Sequence, residues 1–303
     1  MGQAMIFKEK MRLDVKWATR QRLQYIEIMA FYGGVVTRSD VAKAFTISDA
    51  AATKDLKLYG DLAPNNLLYN HSVFGFVPSP TFSAAFADLA PATVLPIIAA
   101  NLSVAGGSYG AASLYGLTTA ALPLPTRLPS AQVLAQITRA IRGHKKLRVS
   151  YRSLSDRSSK EWRKLEPHAL VDNGIRWHVR AYSEDTYDFR DFVLSRFTQA
   201  ECLLDLAESN VQYDDDWVEM VNLQLGPHAK LDAQKRESLL LDYGAGDTHS
   251  KVIEVNVRRA LVGYLLQRLG VDTSKDRSMN PNTYQLMLLN RDEIEPFAGW
   301  ALQ

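Results

Sequence analysis

The sequence predicts an α+β protein with several domains. Helical periodicity dominates the N-terminal part, short strand-like segments with tight turns fill the middle, and helices alternate with strands towards the C-terminus. At 303 residues the chain is long enough for two or three domains, and its hydrophobic fraction of 47% allows each domain to bury its own core. We expect an N-terminal domain over residues 1–80, a helical linker over 81–130, a β-rich middle domain over 131–205 and an α/β C-terminal domain over 206–303.

Composition and charge exclude several classes of protein. A net charge of +2 argues against a protein that coats nucleic acid through a generally basic surface, although it leaves room for a local basic face. The single cysteine, Cys202, cannot form an intramolecular disulfide, and its apolar setting predicts a core residue in a reducing compartment. The first residues lack the apolar core of a signal peptide, and the apolar stretch 92–100 is too short to span a bilayer. We therefore expect a cytoplasmic protein without a membrane partner.

The N-terminal domain has the element order of a winged helix-turn-helix. Helices are predicted over 17–31, from Thr37 to about Phe45 and from Ser48 to about Tyr59, and residues 67–76 are typical of a β-hairpin. Thr37 and Ser48 are residues that cap helix N-termini well, because their hydroxyl groups accept a hydrogen bond from a free backbone N–H. This order predicts DNA binding, with a three-helix protein-interaction module as the alternative.

The third helix has a packing face and an outward face. Ala52, Leu56 and Tyr59 share one side and should pack on the first two helices, so the lysines point outward and can reach phosphates. Thr53 can reach a phosphate or a base edge. We expect the following DNA contacts: Arg38, Ser48, Asp49, Ala50, Thr53, Lys54, Lys57 and, on the wing, His71.

The remaining chain divides at proline-rich and glycine-rich segments. Helices are predicted over 81–117 with a loose connection near Gly106, and Leu122 to Pro129 is too proline-dense for a helix. In the middle domain we predict a helix over 131–142 and strands over 147–151, 169–171, 176–182 and 189–197. The Asp172-Asn173-Gly174 segment predicts a hairpin turn.

The C-terminal domain is predicted to alternate helix and strand. A strand over 252–257 leads into a helix over 258–269, and a late strand follows over 284–289. Leu261, Leu265, Leu266 and Leu269 form an apolar stripe on that helix, which indicates either a homodimer surface or an intramolecular core.

Cationic side chains of the middle domain predict a binding site for an anion. Period-two alternation places Trp177, Val179 and Ala181 in the core and Arg176, His178, Arg180 and Tyr182 on the opposite face. Arginine binds phosphate bidentately, so a nucleotide or oligonucleotide effector fits this chemistry. The alternative is that the arginines pair with Glu166, Asp172, Asp188 and Asp191. The expected effector contacts are Tyr151, Ser153, Arg163, His168, His178, Arg180, Arg190 and Arg196.

The same segments carry a family resemblance. Val149-Ser-Tyr-Arg-Ser153, Arg163-Lys-Leu-Glu-Pro-His168, Arg176-Trp-His-Val-Arg-Ala-Tyr182 and Phe189-Arg-Asp-Phe-Val-Leu-Ser-Arg-Phe197 together resemble the WYL domain. The family is named after a Trp-Tyr-Leu sequence. Trp177 matches its tryptophan, whereas His178 and Val179 stand in place of the tyrosine and the leucine. With a winged helix before this domain and an α/β extension after it, the whole chain resembles the BrxR/CapW-type repressors of bacterial phage-defence operons.

The resemblance implies a fold and a mode of action. The middle domain would be an Sm-like barrel that binds an effector, and a homodimer would bind a double-stranded operator with an inverted repeat. The regulated genes would be an anti-phage system together with the repressor's own gene. The alternative is an accessory protein that binds single-stranded nucleic acid and modulates a partner nuclease or helicase.

Catalytic, metal and cofactor sites are not expected. The histidines lack a metal-binding spacing such as HExxH, and no glycine-rich phosphate loop of the Walker type occurs. Asp214, Asp215 and Asp216 precede an apolar run, where acidic residues are more often helix N-caps than metal ligands. The sequence therefore predicts a regulator and not an enzyme.

Overall fold

A computed structural model describes residues 15–104, 117, 122, 124–125, 127–154, 162–245 and 251–302. The chain divides into an N-terminal unit, residues 1–122, and a C-terminal unit, residues 123–303. The elements of the N-terminal unit are α1 (Trp17–Gly33), α2 (Arg38–Phe45), α3 (Asp49–Leu62), β1 (Leu67–Asn70), β2 (Gly75–Pro78) and α4 (Pro91–Val104). The predicted order of three helices and an antiparallel hairpin is confirmed.

Both predicted N-caps are present in the N-terminal unit. The Thr37 hydroxyl accepts a hydrogen bond from the Asp40 N–H at 3.1 Å, and the Asp40 carboxylate accepts one from the Thr37 N–H at 2.8 Å, which completes a capping box. The Ser48 hydroxyl accepts a hydrogen bond from the Ala51 N–H at 3.2 Å at the start of α3.

The buried carboxylate of Glu27 joins α1 to the segment that follows the wing. It accepts hydrogen bonds from the backbone N–H groups of Ala85 (2.7 Å), Phe86 (2.9 Å) and Ala87 (2.7 Å) and from the Tyr59 hydroxyl (3.0 Å). The helix predicted from residue 81 is therefore wrong in its first part. Residues 81–90 have no regular secondary structure and α4 begins at Pro91, because these N–H groups bond to Glu27. The predicted connection near Gly106 lies outside the described residues.

The middle domain is a helix followed by a five-stranded antiparallel sheet. Its elements are α5 (Ala131–Gly143), β3 (Lys145–Tyr151), β4 (Arg163–Asp172), β5 (Trp177–Ser183), β6 (Asp188–Val193) and β7 (Phe197–Leu206), with the strand order β6-β5-β4-β3-β7. The predicted hairpin turn between β4 and β5 is confirmed, since Gly174 has φ +80°. The last predicted strand ends early, at Val193, and the sequence pattern missed β7.

The connection between β6 and β7 curls this sheet. These strands lie at opposite ends of the sheet order, yet only the 3₁₀ turn Leu194–Arg196 joins them. Four strand spacings across a flat sheet would amount to about 19 Å, which three residues of 3₁₀ helix cannot span. The sheet therefore bends until its two ends approach each other, as in the barrel that the resemblance implied.

The C-terminal domain packs helices on a four-stranded mixed sheet. Its elements are α6 (Asp215–Val218), β8 (Met220–Pro227), α7 (Ala233–Asp242), β9 (Ile253–Arg258), α8 (Val262–Arg268), β10 (Val271–Asp272), β11 (Leu286–Leu288) and α9 (Arg291–Ala298), and the sheet order is β10-β11-β8-β9. Leu266 is fully buried, and Leu265 and Leu269 pack against the same core. These three leucines of the stripe therefore serve an intramolecular core, whereas Leu261 lines a cleft together with Val171 and Asp172. No helix in the described ranges is long and apolar enough to cross a membrane.

We expect Glu27→Gln to destabilise the N-terminal unit by about 2–4 kcal/mol, because the new amide group turns an N–H donor towards buried N–H donors. Urea unfolding followed by circular dichroism measures this loss. Glu237→Gln removes the same charge from an exposed position on α7 and should cost less than about 0.5 kcal/mol. Equal stability of the two variants would contradict the role assigned to Glu27.

Candidate DNA interface and effector site

Helix α3 presents its lysines to solvent. The predicted packing stripe is confirmed: Ala52 and Tyr59 are fully buried and Leu56 is 8% exposed. Lys54 and Lys57 lie on the exposed side of the helix. The helix is fixed in rotation by a bidentate ion pair, in which Nε and Nη2 of Arg22 on α1 donate to the Asp55 carboxylate at 2.6 and 3.2 Å.

The N-terminal end of α3 uses several predicted DNA contacts for its own structure. The Ser48 hydroxyl caps the helix, and the Thr53 hydroxyl donates to the Asp49 carbonyl oxygen at 2.8 Å. The exposed side chains of Arg38 and Asp49 lie 3.4 Å apart, so their charges partly offset each other. Ala50 is exposed beside them. The two lysines are thus the predicted contacts of α3 that add positive charge.

The wing adds an aromatic surface that the sequence pattern missed. The His71 ring contacts the Tyr69 ring with centroids 4.9 Å apart, and Phe74 at the tip of the hairpin is 78% exposed. A cleft of about 750 Å³ separates the wing from α3, and Thr53, Lys57, Tyr69 and Phe74 are among the residues that line it. Side chains in a turn do not alternate regularly between two faces, so the sequence pattern could not single out Phe74.

The strand β5 is covered on both faces. Val179 and Ala181 are fully buried against the core beneath α5, as predicted. The expectation that Trp177 belongs to this core is wrong, because its side chain is 39% exposed at the start of the strand. His178 and Arg180, predicted on the opposite face, are only 1% and 5% exposed. Residues of the C-terminal domain cover them.

Arg180 and His168 hold the carboxylate of Asp214. Nε and Nη2 of Arg180 donate to Oδ2 and Oδ1 of Asp214, both at 2.8 Å, and Nε2 of His168 lies 2.9 Å from Oδ2. Burial alone would raise the pKa of Asp214, but the hydrogen bonds from Arg180 and His168 outweigh it and lower the pKa to about 2. Asp214 therefore stays ionised in a nearly closed site.

Asp214 is also the helix N-cap that the sequence predicted. Its Oδ1 accepts a hydrogen bond from the Trp217 N–H at 3.3 Å at the start of α6. Its pairing with Arg180, which is 34 residues earlier in the chain, carried no sequence signal. Neither did the contact between Asp191 and Tyr264. There the Tyr264 hydroxyl donates to Oδ2 of Asp191 at 3.1 Å, while Nη1 of Arg180 lies 3.6 Å from Oδ1.

His178 is a buried imidazole without a hydrogen bond among the described residues. Its ring lies against that of Tyr264 with centroids 4.9 Å apart. Burial lowers the pKa of His178 to about 4, and the positive charges of Arg176 and Arg196 act in the same direction. His178 is therefore neutral at physiological pH.

The other predicted effector contacts are spread over the domain. Tyr151 lies in the core, where its hydroxyl accepts the Val193 N–H at 3.1 Å, and Arg163 lies over its ring at 5.9 Å. Ser153 and Arg196 are partly exposed. Arg190 pairs across the sheet with Ala181, which places it on the face of the core, whereas Arg180 pairs with Asp191. The sheet thus separates Arg190 from the group around Arg180.

Three family models match the chain in consecutive segments. They are the BrxR transcriptional regulator winged helix-turn-helix domain at residues 18–100, the WYL domain at 132–202, and the BrxR transcriptional regulator C-terminal dimerization domain at 220–294. Together they confirm the three-part architecture that the sequence predicted.

Curated relatives align along nearly the whole chain. The DNA-binding transcriptional repressor CapW of Pseudomonas aeruginosa is 33% identical over 290 residues, which cover 94% of each chain. The chain belongs to the CapW family of DNA-binding transcriptional repressors. CapW of Stenotrophomonas maltophilia is 29% identical over 93% of this chain and 92% of its own. The solved structure of PafBC from Arthrobacter aurescens aligns at 17% identity over 94% of this chain and 48% of that chain, with a TM-score of 0.25 that is too low to inform the fold.

Membership of the CapW family confirms two sequence predictions. The protein is a DNA-binding transcriptional repressor, and its family is not enzymatic. Its winged helix and WYL domain are followed by a segment that matches a dimerization domain.

We expect the free energy of unfolding to fall as the pH drops from about 6.5 to about 4. The protonation of His178 contributes up to about 3 kcal/mol to this loss. The sign follows from the lowered pKa: in this interval the unfolded chain binds a proton that the folded protein excludes. His178→Phe should remove this part of the pH dependence, measured by urea unfolding between pH 7 and pH 4. His71→Phe, at an exposed histidine, is the control. An unchanged pH dependence in His178→Phe would show that His178 is not the group responsible.

Proposed function

We propose that the protein is a cytoplasmic homodimer that binds an inverted-repeat operator and represses a phage-defence operon together with its own gene. The exposed lysines of α3, opposite the buried stripe of Ala52 and Tyr59, carry the DNA-binding part of this proposal. The match to a dimerization domain supports the homodimer. A two-fold dimer presents two recognition helices to two symmetry-related half-sites, which is why an inverted repeat is the expected operator. The resemblance to the BrxR/CapW-type repressors supports the choice of target genes.

Reversing the charge of the α3 lysines tests the DNA interface. Lys54→Glu/Lys57→Glu should weaken binding to the region upstream of the protein's gene on the order of a hundredfold or more at moderate salt. A dimer would lose four phosphate contacts. The negative slope of log K against log salt should therefore become less steep by about 3 to 4. Fluorescence anisotropy over a salt series measures both quantities.

The matched control for this experiment lies outside the winged helix. Lys235→Glu makes the same kind of charge change at an exposed position of α7 and should leave operator affinity nearly unchanged. Melting temperatures close to the wild type are expected for all variants, because these side chains are exposed. A folded Lys54→Glu/Lys57→Glu protein with wild-type affinity would disprove the proposed interface.

We further propose that an anionic effector, a nucleotide or an oligonucleotide, binds the WYL domain and modulates repression. Three groups support an anion site near Arg180: the Arg180 guanidinium, the Nε2 of His168 and the partly exposed guanidinium of Arg196, whose charge acts on the neighbouring His178. The site already holds a carboxylate bidentately, and phosphate oxygens accept the same pair of N–H donors.

Arg196→Ala should weaken the response to the effector while operator affinity stays near the wild type. The reason is linkage: an effector shifts an equilibrium only through its different affinities for the two states, and the variant removes part of its binding charge. Operator affinity in vitro, melting temperature and induction of a reporter by phage infection are measured on the same proteins. Arg190→Ala, on the opposite face of the sheet, is the control. Loss of response in Arg190→Ala and not in Arg196→Ala would place the effector on the other face.

A further inference from the structure

The chain itself occupies the anion site proposed for the WYL domain. Asp214 is 1% exposed, and its two carboxylate oxygens take both N–H groups that Arg180 directs towards an anion. The Nε2 of His168 bonds to the same carboxylate. A phosphate group needs these donors in the same arrangement. It therefore cannot bind to Arg180 and His168 while Asp214 remains in place.

The helix that Asp214 caps is fixed to the C-terminal domain. Nε of Arg259 donates to the Asp216 carboxylate at 2.6 Å. The guanidinium of Arg258 donates to the Trp217 carbonyl oxygen and lies 4.8 Å from the centre of the Trp217 ring. The Trp217 ring in turn packs edge-on against His168 of the WYL sheet. Helix α6 thus connects the WYL sheet to the strand β9 and to the turn after it.

We propose that Asp214 is an internal competitor of the effector. A phosphate group that binds Arg180 and His168 displaces the Asp214 carboxylate, and the displacement detaches α6 from the WYL sheet. This inference rests on the proposed effector function. It adds a route by which effector binding would be transmitted, which runs through α6 to the segment that matches the dimerization domain.

The energetics favour the replacement of the Asp214 carboxylate by a phosphate group over the binding of a phosphate group beside Asp214. Arg180 is 5% exposed, so removing Asp214 without a replacement would leave this buried cation with only its longer contacts to Asp191 (3.6 Å) and Asp216 (3.7 Å), which is costly. An incoming phosphate supplies the missing charge, while the released carboxylate gains hydration at the surface. The affinity for the effector is therefore reduced by the free energy that holds Asp214 in the site. Weakening that interaction should strengthen effector binding.

Asp214→Asn tests this competition, because it removes the charge of the competitor and nearly keeps its shape. The probe is a fluorescent, 5′-phosphorylated tetrathymidylate, and its dissociation constant is measured by anisotropy on the full-length protein. We expect Asp214→Asn to bind it about tenfold more tightly, or better, than the wild type. Asp215→Asn, which removes an exposed charge from the next residue, should bind like the wild type. Displacement by unlabelled thymidine monophosphate or by unlabelled tetrathymidylate distinguishes a nucleotide from an oligonucleotide.

Three results would overturn the inference in distinguishable ways. Equal affinities of the wild type and Asp214→Asn, with weaker binding by Arg196→Ala, would keep the effector site and exclude Asp214 as a competitor. If Asp215→Asn bound the probe more tightly to the same extent, the gain in affinity would result from the change in net charge and not from the loss of a competitor. Failure of every variant to bind the probe would overturn the competition and the proposed phosphate effector together.

Hydrogen exchange on the wild-type protein provides a second measurement that does not depend on the folding of a variant. The N–H groups of Trp217 and Val218 bond to Asp214, and that of Glu219 bonds to the Asp215 carbonyl oxygen. Saturation with the probe should increase the exchange rates of these amides several-fold. Unchanged or slower exchange at saturation would contradict the displacement of Asp214.

Discussion

The arrangement of the C-terminal unit depends on one buried ion pair between Arg180 and Asp214. Both side chains are almost excluded from water, and removing a single ion from water costs several kcal/mol. The bidentate geometry and the third hydrogen bond from His168 offset this cost. The pair therefore contributes little to stability compared with an apolar contact, but it penalises any arrangement in which one partner is left alone. It fixes the position of α6 on the WYL sheet.

A buried carboxylate has the same role in the N-terminal unit. Glu27 satisfies three consecutive backbone N–H groups and the Tyr59 hydroxyl, so α1, α3 and the segment before α4 keep one arrangement. Arg22 and Asp55 then set the rotation of α3. Apolar packing alone is not directional and would tolerate small rotations of this helix. The polar contacts inside the unit therefore determine that Lys54 and Lys57 face outward together.

The features predicted correctly from sequence depend on neighbours in the chain. The N-caps Thr37, Ser48 and Asp214 and the positive φ of Gly174 follow from a few adjacent residues. The errors concern distant partners. The segment 81–90 is not helical, and Glu27, about sixty positions earlier, takes the N–H groups of Ala85, Phe86 and Ala87 in its centre. Alternation along β5 separated two faces correctly, but it could not show that the C-terminal domain covers His178 and Arg180.

The burial of Arg180 changes what an effector can do at this site. An anion that bound equally well in both states of the repressor would shift no equilibrium, however tight its binding. A site that is already filled by Asp214 differs, because binding requires the chain to rearrange. In the proposed scheme, the state without effector keeps α6 on the sheet and the state with effector releases it. The difference in affinity between these states then equals the free energy that holds Asp214 in place. The strength of one internal ion pair thus sets the effector concentration at which repression changes.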